Sequence, residues 1–433
     1  MTKPGPRRRR LTLLAGPASG LTLAVTLALT VAAPASAGAP PAPGSGRAGV
    51  LRGVSDVSPQ LAWAVGYSCV SNCGFGAGEV DHTLILRWNG AAWTRLASPD
   101  PDHNGRLDAV SAASPSAAWA VGSYCTARCG TGSAEFHALT LRWNGAAWAR
   151  VTSPSPAGAR ITGLNGVSAT SAGAAWAVGT YCSVNCGQTQ SSPPPRPQTL
   201  TLRWNGTRWQ RVASPDPGGR YGSSLYGVSA LPSGGAWAVG NYGTQQSFQN
   251  FTPGNSLVLH WNGHAWARQP SPSFGQPAPG SVLSGVSARS ATAALSAGSS
   301  YFGDCECART LAVRWNGTGW AKVASPSPGP AGDPVTEFLG ISAVSASDAW
   351  AAGYWESQAR SSSLTLLARW NGTSWARVPS PDDPAGLAGG GNFLNAVSAR
   401  SATGAWAAGY YVTSGGDSRT LILRWDGTRW ERA

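Results

Sequence analysis

The sequence predicts an all-β protein made of seven consecutive copies of one four-stranded unit. The pattern Trp-Asn-Gly-x-x-Trp occurs seven times at intervals of 55, 61, 57, 54, 55 and 55 residues, with only Asp426 replacing the Asn. A fixed period of this length is typical of repeat architectures. Gly and Pro together supply 88 of the 433 residues, and charged residues only 12%, a composition that favours turn-rich sheets over helices. The copies begin at Trp88, Trp143, Trp204, Trp261, Trp315, Trp370 and Trp425.

Each copy contains four strand-like stretches in the same order. The first is short, as in Gly53-Val54-Ser55. The second reads Ala-Trp-Ala-Val-Gly around Trp63, and Leu295 is the one replacement of its Trp. The third ends in the first hairpin Trp and alternates in period two, as a half-buried strand does. The fourth starts at the second hairpin Trp and ends at Ser-Pro. Between the third and fourth, Asn-Gly predicts a tight hairpin with positive φ at both residues.

Seven units of four antiparallel strands predict a seven-bladed β-propeller. Blades pack face to face, which explains why the second strand is apolar on both sides. Twenty of the 21 Trp occupy the three repeated positions, and only Trp355 lies outside them, so we interpret the Trp as core. The first strand begins near Val50 and the last residues belong to a fourth strand. We therefore expect no blade shared between the termini, with the first and last blades joined by packing alone.

The N-terminus predicts export. Residues 1–37 read as a signal peptide with a basic start, an apolar run and the cleavage site Ala35-Ser36-Ala37. A membrane anchor is the alternative, but Gly16, Pro17 and Gly20 interrupt the run. The consecutive arginines also allow a twin-arginine signal. Residues 38–49 form a Pro/Ala/Gly spacer that we expect to be disordered, and residues 50–433 form the propeller. We expect a secreted or envelope-associated monomer with no membrane span after cleavage.

The basic charge follows the repeat. Removal of the signal would take away five cations and no acid, which lowers the net charge from +13 to +8. Thirteen cations flank the hairpin Trp, and we interpret them as solvated side chains whose stems cover Trp. Nucleic acid is the alternative partner, which we do not expect because the charges are spread over all units. These cations are Arg87, Arg95, Arg142, Arg150, Arg203, Arg211, Arg268, Arg314, Lys322, Arg369, Arg377, Arg424 and Arg432.

These motifs resemble those of known propeller proteins over residues 50–433. The unit resembles kelch-type repeats in having a Gly followed by an aromatic residue, as in Gly122 and Tyr124, and a Trp that opens the fourth strand. It differs in having one Gly where kelch repeats have two. It is also similar to secreted, mostly uncharacterised propeller proteins of high-GC bacteria. This resemblance implies the fold and the location, and hardly bears on function.

The eight cysteines predict four disulfides. An even count in an exported chain favours disulfides, and the repeat places each pair within one loop after a second strand. Metal binding is the alternative, but the pairs lie in different units with few His, so we predict no metal site and no cofactor. The predicted bonds are Cys69–Cys73, Cys125–Cys129, Cys182–Cys186 and Cys305–Cys307.

The loops after the second and fourth strands share one face of the predicted propeller, and variable loops on a rigid scaffold carry function. Seven tyrosines near the ends of the second strands suit glycan or peptide binding there, with packing beneath the loops as the alternative. We therefore predict a non-enzymatic binding or scaffold protein for a glycan, peptide or protein. The alternative is a secreted glycoside hydrolase or lyase, for which loop acids such as Asp81, Asp108 and Glu337 are candidates but no catalytic residue can be assigned. The tyrosines are Tyr67, Tyr124, Tyr181, Tyr242, Tyr301, Tyr354 and Tyr411.

Overall fold

A computed structural model of the chain describes residues 49–71, 80–129, 131, 134–183, 186, 196–244, 254–272, 280–302, 307–328, 335–357 and 361–433. The predicted signal peptide and residues 38–48 of the predicted spacer lie outside these ranges, so both stay predictions. Within the ranges described, no helix is long and apolar enough to cross a membrane.

Strands follow one another in groups of four along the chain, and we number these groups as repeats 1 to 7 after the seven Trp-Asn-Gly copies. Repeat 1 contains β1 (Val50–Ser58), β2 (Leu61–Ser71), β3 (Val80–Trp88) and β4 (Trp93–Leu96). Repeat 2 contains β5 (Gly105–Ser114), β6 (Ala117–Ala127), β7 (Glu135–Trp143) and β8 (Trp148–Arg150). Repeat 3 contains β9 (Ile161–Ser171), β10 (Ala174–Cys182), β11 (Pro197–Trp204) and β12 (Trp209–Val212). Repeat 4 contains β13 (Ser223–Ala230), β14 (Ala236–Tyr242), β15 (Asn255–Trp261) and β16 (Trp266–Gln269).

The later repeats have the same order. Repeat 5 contains β17 (Gly280–Ser290), β18 (Ala293–Phe302), β19 (Cys307–Trp315) and β20 (Trp320–Val323). Repeat 6 contains β21 (Thr336–Ala343), β22 (Ala349–Ser357), β23 (Ser362–Trp370) and β24 (Trp375–Val378). Repeat 7 contains β25 (Gly391–Ser401), β26 (Gly404–Val412), β27 (Ser418–Trp425) and β28 (Trp430–Arg432). Short helices at Pro101–His103, Gly219–Tyr221 and Pro384–Leu387 lie between repeats.

Neighbouring strands within each repeat pair in antiparallel order. The described strands form six sheets, five of four strands and one of eight. The eight-stranded sheet arises because one parallel pair, Phe136 with Ile161, joins β7 to β9. The first strands β1, β5, β9, β13, β17, β21 and β25 contact one another in that order, and β25 also contacts β1. These first strands therefore form a closed inner ring.

Steric crowding explains the glycine in the second strand. β1 carries an extra residue between Leu51 and Gly53, so a bulge interrupts its pairing with β2. A Cβ on the facing Gly66 would lie 1.9 Å from the Val50 carbonyl oxygen. Only glycine fits such an approach. The second strand continues beyond this glycine, as β2 shows by running to Ser71.

The Trp-Asn-Gly turns differ from the predicted two-residue type. Trp88 pairs with Trp93, which leaves four residues in the turn, and only Gly90 has a positive φ, of 99°. The Asn89 carboxamide oxygen instead accepts hydrogen bonds from the backbone N–H groups of the third and fourth turn residues, at 3.0 and 2.9 Å. The prediction of positive φ at both residues was wrong, because the Asn acts here through its side chain.

Tryptophan side chains join each repeat to the next. Trp63 of repeat 1 packs between Trp143 and Trp148 of repeat 2, with ring centroids 4.9 and 5.1 Å away. Trp119, Trp176, Trp237, Trp350 and Trp406 make the equivalent contacts, and Leu295 occupies this place between repeats 5 and 6. The predicted role of the Trp as core is confirmed. The guanidinium of Arg87 lies 5.7 Å from the Trp63 ring, so its stem covers Trp as predicted.

A serine of each first strand bonds to the first strand of the next repeat. Each hydroxyl oxygen accepts a hydrogen bond from a backbone N–H, at 2.9 to 3.1 Å. The last member of the series, Ser398, accepts from Asp56 of repeat 1, so the series closes on itself. The other six serines are Ser55, Ser111, Ser168, Ser229, Ser287 and Ser342.

Repeats 7 and 1 meet without sharing a sheet, as predicted, because each of these sheets comes from one end of the chain. The prediction that packing alone joins them was wrong. Besides the Ser398 bond, Gly49 N–H donates to the Ser418 carbonyl at 2.7 Å, and the Asn395 amide donates to the Leu51 carbonyl at 2.7 Å. Gly49 was also predicted to belong to a disordered spacer, and this bond holds it against repeat 7.

Replacement of Ser398 by Ala should lower the free energy of unfolding by about 1 kcal/mol, since one partly buried hydrogen bond is lost. Ser168→Ala at an internal joint is the matched control and should cost a similar amount. Urea denaturation followed by Trp fluorescence measures both. A much larger cost for Ser398→Ala would contradict the equivalence of the closing and internal joints.

Asp56 is the exceptional residue of this joint. The other six repeats have Ala at its position: Ala112, Ala169, Ala230, Ala288, Ala343 and Ala399. Its side chain is only 2% exposed and lies 3.6 Å from Arg400. Burial raises the pKa of the carboxyl to about 6, and the positive charges of Arg400 and Arg424 offset part of this effect.

We expect Asp56→Ala to stabilise the protein above pH 7. The folded pKa lies above the unfolded value, so the folded state of the natural protein holds the proton more tightly and loses stability as the pH rises from about 4 through 6. The variant lacks this loss and should gain up to about 3 kcal/mol at pH 8, with the gain shrinking toward pH 4. Denaturation at both pH values tests this, with the exposed Asp417→Ala as control. An equal pH dependence of Asp56→Ala and the natural protein would contradict it.

Candidate functional site

The inner ring opens on the face that carries the long loops. Each first strand starts there, and its first residues pair with the end of the second strand. We define the mouth as the first-strand residues Val50, Arg106, Gly163, Ser224, Val282, Glu337 and Phe393 with their paired second-strand residues Tyr67, Ser123, Thr180, Asn241, Ser299, Tyr354 and Tyr410. Because these positions repeat, differences among them distinguish one side of the mouth from the other.

The mouth is strongly asymmetric. Repeats 3 to 5 place Gly, Thr, Ser, Asn and Val there. Repeats 6 and 7 place Glu337 and three aromatic residues, Tyr354, Phe393 and Tyr410, which we call the aromatic wall. Phe393 stacks on Tyr410 and meets Tyr354 edge-on, each at 4.9 Å between centroids. A bulky wall therefore faces small residues.

Two phenols hold the Glu337 carboxylate. Tyr301 of repeat 5 donates its hydroxyl to one oxygen at 2.5 Å, and Tyr354 donates to the other at 3.3 Å. Burial and the adjacent Glu337 charge raise the pKa of both tyrosines above their ordinary value. Both side chains therefore stay protonated donors at neutral pH, which is the opposite of what a tyrosine nucleophile requires.

Salt bridges occupy the side of the mouth formed by repeats 1 and 2, next to repeat 7 in the ring. Arg106 pairs with Asp81 and packs over the Tyr67 ring at 4.6 Å. Arg52 lies 3.6 Å from Asp108, whose pKa is raised by burial. The positive and negative groups on this side balance each other.

The seven predicted tyrosines fall into two groups, because side chains alternate along a strand. Tyr67, Tyr301 and Tyr354 lie four or six residues after the second-strand Trp position and point toward the next repeat. The other four lie five residues after it, on the opposite side. These are Tyr124, Tyr181, Tyr242 and Tyr411.

Arginines of the fourth strands cover three tyrosines of this second group. Arg150 packs over and hydrogen-bonds Tyr124. Arg211 hydrogen-bonds Tyr181 at 3.0 Å, and Arg268 hydrogen-bonds Tyr242 at 2.5 Å. The structure thus brings Tyr301 and Tyr354 together at Glu337 and places Tyr124, Tyr181 and Tyr242 in separate contacts with arginines. Ligand binding by any of the seven stays a prediction.

Two predicted disulfides are confirmed. Cys125–Cys129 and Cys182–Cys186 each have Cα atoms 5.8 Å apart, and they restrict the loops after β6 and β10. Cys73 and Cys305 lie outside the described residues, so the pairings Cys69–Cys73 and Cys305–Cys307 stay predictions.

A cavity of about 510 Å³ lies at the joint of repeats 7 and 1, lined by Trp88, Tyr411 and Arg432 among others. Five repeats place Leu or Val at the position held here by Ala433: Leu96, Val151, Val212, Val323 and Val378. These residues pack into the neighbouring cores. The smaller Ala433 leaves part of the equivalent volume unfilled, so packing explains this cavity better than ligand recognition does.

Sequence reasoning missed the partners of Glu337. It grouped Glu337 with other loop acids and chose Tyr411 from the adjacent pair Tyr410 and Tyr411. The count from Trp406 was the available signal, because Tyr410 lies four residues after it and so shares the side of Tyr67 and Tyr354. The contact of Tyr301 with Glu337 joins two repeats and has no local sequence signal.

No protein-family model matches the chain, and no curated protein matches it. Its structure is similar to solved β-propellers, among them "YCF48 bound to D1 peptide" (12% identity, TM-score 0.47, covering 89% of this chain and 94% of that one). Another is the propeller domain of the Trilobed protease from Pyrococcus furiosus (6%, 0.46, 89% and 97%). A third match is the acylaminoacyl peptidase of Pyrococcus horikoshii (7%, 0.50, 89% and 52%).

The fold is all-β and propeller-like. Identities this low show the fold alone. None of these matches shows kelch-type repeats, so that resemblance stays a prediction.

We expect Glu337→Gln to lower the pH at which Tyr301 and Tyr354 ionise, because a negative charge beside a phenol disfavours the phenolate. Absorbance at 295 nm during an alkaline titration measures this, over the range in which circular dichroism shows a folded protein. Asp81→Asn, which removes an acidic charge of repeat 1 that is paired with Arg106, is the control. An unchanged titration curve for Glu337→Gln would contradict the described contacts.

Proposed function

We propose that this protein is an exported, non-enzymatic, seven-bladed β-propeller that binds a ligand at the mouth. The observation that carries the proposal is the aromatic wall facing small residues across the mouth. Binding sites are typically concave, with apolar and aromatic walls and a few placed polar groups. Tyr and Phe rings supply apolar area, and the hydroxyls supply hydrogen bonds. Suitable partners are a glycan, a peptide or a protein loop.

Three observations support seven blades. The strands come in seven consecutive groups of four. Second-strand Trp side chains contact the hairpin Trp of the following repeat, and that of repeat 7 contacts repeat 1. The last of the seven serine hydrogen bonds joins repeat 7 to repeat 1. Export is supported by the two disulfides, because such bonds persist in oxidising compartments. The likeness to kelch-type repeats belongs to this proposal as well.

Glycoside hydrolysis is the second candidate, and one observation favours it. Burial raises the pKa of Asp108, as a general acid requires. Against it, Arg52 lies beside Asp108, and Glu337 is held by two phenol donors. Binding without cleavage therefore agrees better with the geometry.

The test is a glycan array and a peptide array, together with a polysaccharide-cleavage screen, on the exported protein. We expect a hit whose affinity falls at least about tenfold in Tyr354→Ala and in Phe393→Ala, since buried aromatic anchors dominate binding. Tyr181→Ala, which removes a tyrosine covered by Arg211, is the matched control and should bind normally. Sugar release that disappears in Asp108→Asn would establish the hydrolase instead.

A further inference from the structure

Glu337 lacks the arginine partner that five other buried or half-buried acids of the described residues have. Asp56, Asp81, Asp108, Asp348 and Asp383 each lie within 4 Å of an arginine. The Glu337 carboxylate accepts hydrogen bonds from two phenols instead, and across the described ranges no cation pairs with it. The partners of this half-buried carboxylate are thus neutral hydrogen-bond donors and not cations.

Aromatic rings extend from this carboxylate along the mouth. Tyr354 bonds to Glu337 and contacts Phe393, which in turn stacks on Tyr410. Tyr301, Tyr354, Phe393 and Tyr410 are half-buried, so part of each ring is reachable from solvent. Ring faces carry negative electrostatic potential and attract cations. The carboxylate and the rings therefore favour the same kind of ligand group.

The phenol hydrogen bonds also position the carboxylate. Each oxygen has one phenol donor, which leaves further lone pairs on both oxygens for a ligand. Because Tyr301 and Tyr354 come from adjacent repeats, they fix the carboxylate from two sides. A carboxylate that is already held in place loses little conformational entropy when a ligand binds.

The charged residues of repeats 1 and 2 at this face are paired with each other. Arg52 pairs with Asp108, and Arg106 pairs with Asp81. Among the described residues of the mouth, Glu337 is therefore the acid whose charge no arginine offsets, within a chain whose net charge is positive.

From these contacts we infer that Glu337, Tyr301 and the aromatic wall form a site for a substituted ammonium group, presented as a lysine or methylated lysine side chain of a peptide. The inference rests on the proposed function and narrows its ligand to a basic peptide. An ammonium donates hydrogen bonds to the carboxylate, and its methylene or methyl groups pack on the rings.

Calorimetric titration of the protein with three peptides tests the inference. The peptides are acetyl-Gly-Gly-X-Gly-Gly-amide, with X as lysine, trimethyllysine or the uncharged norleucine. We expect both cationic peptides to bind at least about tenfold more tightly than the norleucine peptide. Glu337→Gln should remove this preference, whereas Asp108→Asn, which changes an acid already paired with Arg52, should retain it.

Each outcome decides between the proposals. Affinity for the norleucine peptide equal to that for both cationic peptides, or an unchanged preference in Glu337→Gln, would overturn the ammonium site. If a glycan binds and requires Tyr354 and Phe393 while no peptide binds, the proposed function stands and this inference fails. If mouth variants alter no binding of any kind, both fail. Tight binding of trimethyllysine alone supports the site and assigns methylated lysine as its ligand, because such a group cannot donate a hydrogen bond and relies on the rings.

Discussion

The insertion of one Trp between two others at the joints of the repeats is the contact on which the structure depends. The second-strand indole enters the space between the hairpin indoles of the next repeat, so neither repeat buries its own face alone. Loss of such a buried indole costs about 3–5 kcal/mol in typical cores, a large share of the stability of a domain. The joint between repeats 5 and 6 uses Leu295 instead, and it retains the two hairpin Trp.

Closure of the inner ring follows from the same contacts. Trp406 of the last repeat meets Trp88 and Trp93 of the first in the geometry found inside the chain. The hydrogen bonds at Ser398 and from Gly49 supplement this packing with directional contacts between repeats 7 and 1. Asp56 alone departs from the pattern at this joint, where a buried carboxylate replaces a methyl group. The departure lies beside Arg400, which compensates for part of the cost of burial.

A rigid ring allows the mouth to vary. The positions that face the next repeat's core are nearly constant, because packing would not tolerate change there. The residues at the start of the first strands range from Gly163 to Phe393 with no change in backbone pairing. These few positions therefore determine the chemical character of the mouth. Among the described residues there, Glu337 is the acid that no arginine pairs with.

The sequence by itself determined the repeat, the order of the strands, the Trp core and the two confirmed disulfides, because periodic packing leaves a periodic pattern. It did not establish on which side of its strand each tyrosine lies, although the spacing of four residues from Trp406 contained that information for Tyr410. Only the tertiary structure decided the contact of Tyr301 with Glu337 and the bonds that join repeat 7 to repeat 1, since those residues meet across repeat boundaries. The Asn89 turn shows the same limit locally, because the side chain took over a role predicted for the backbone.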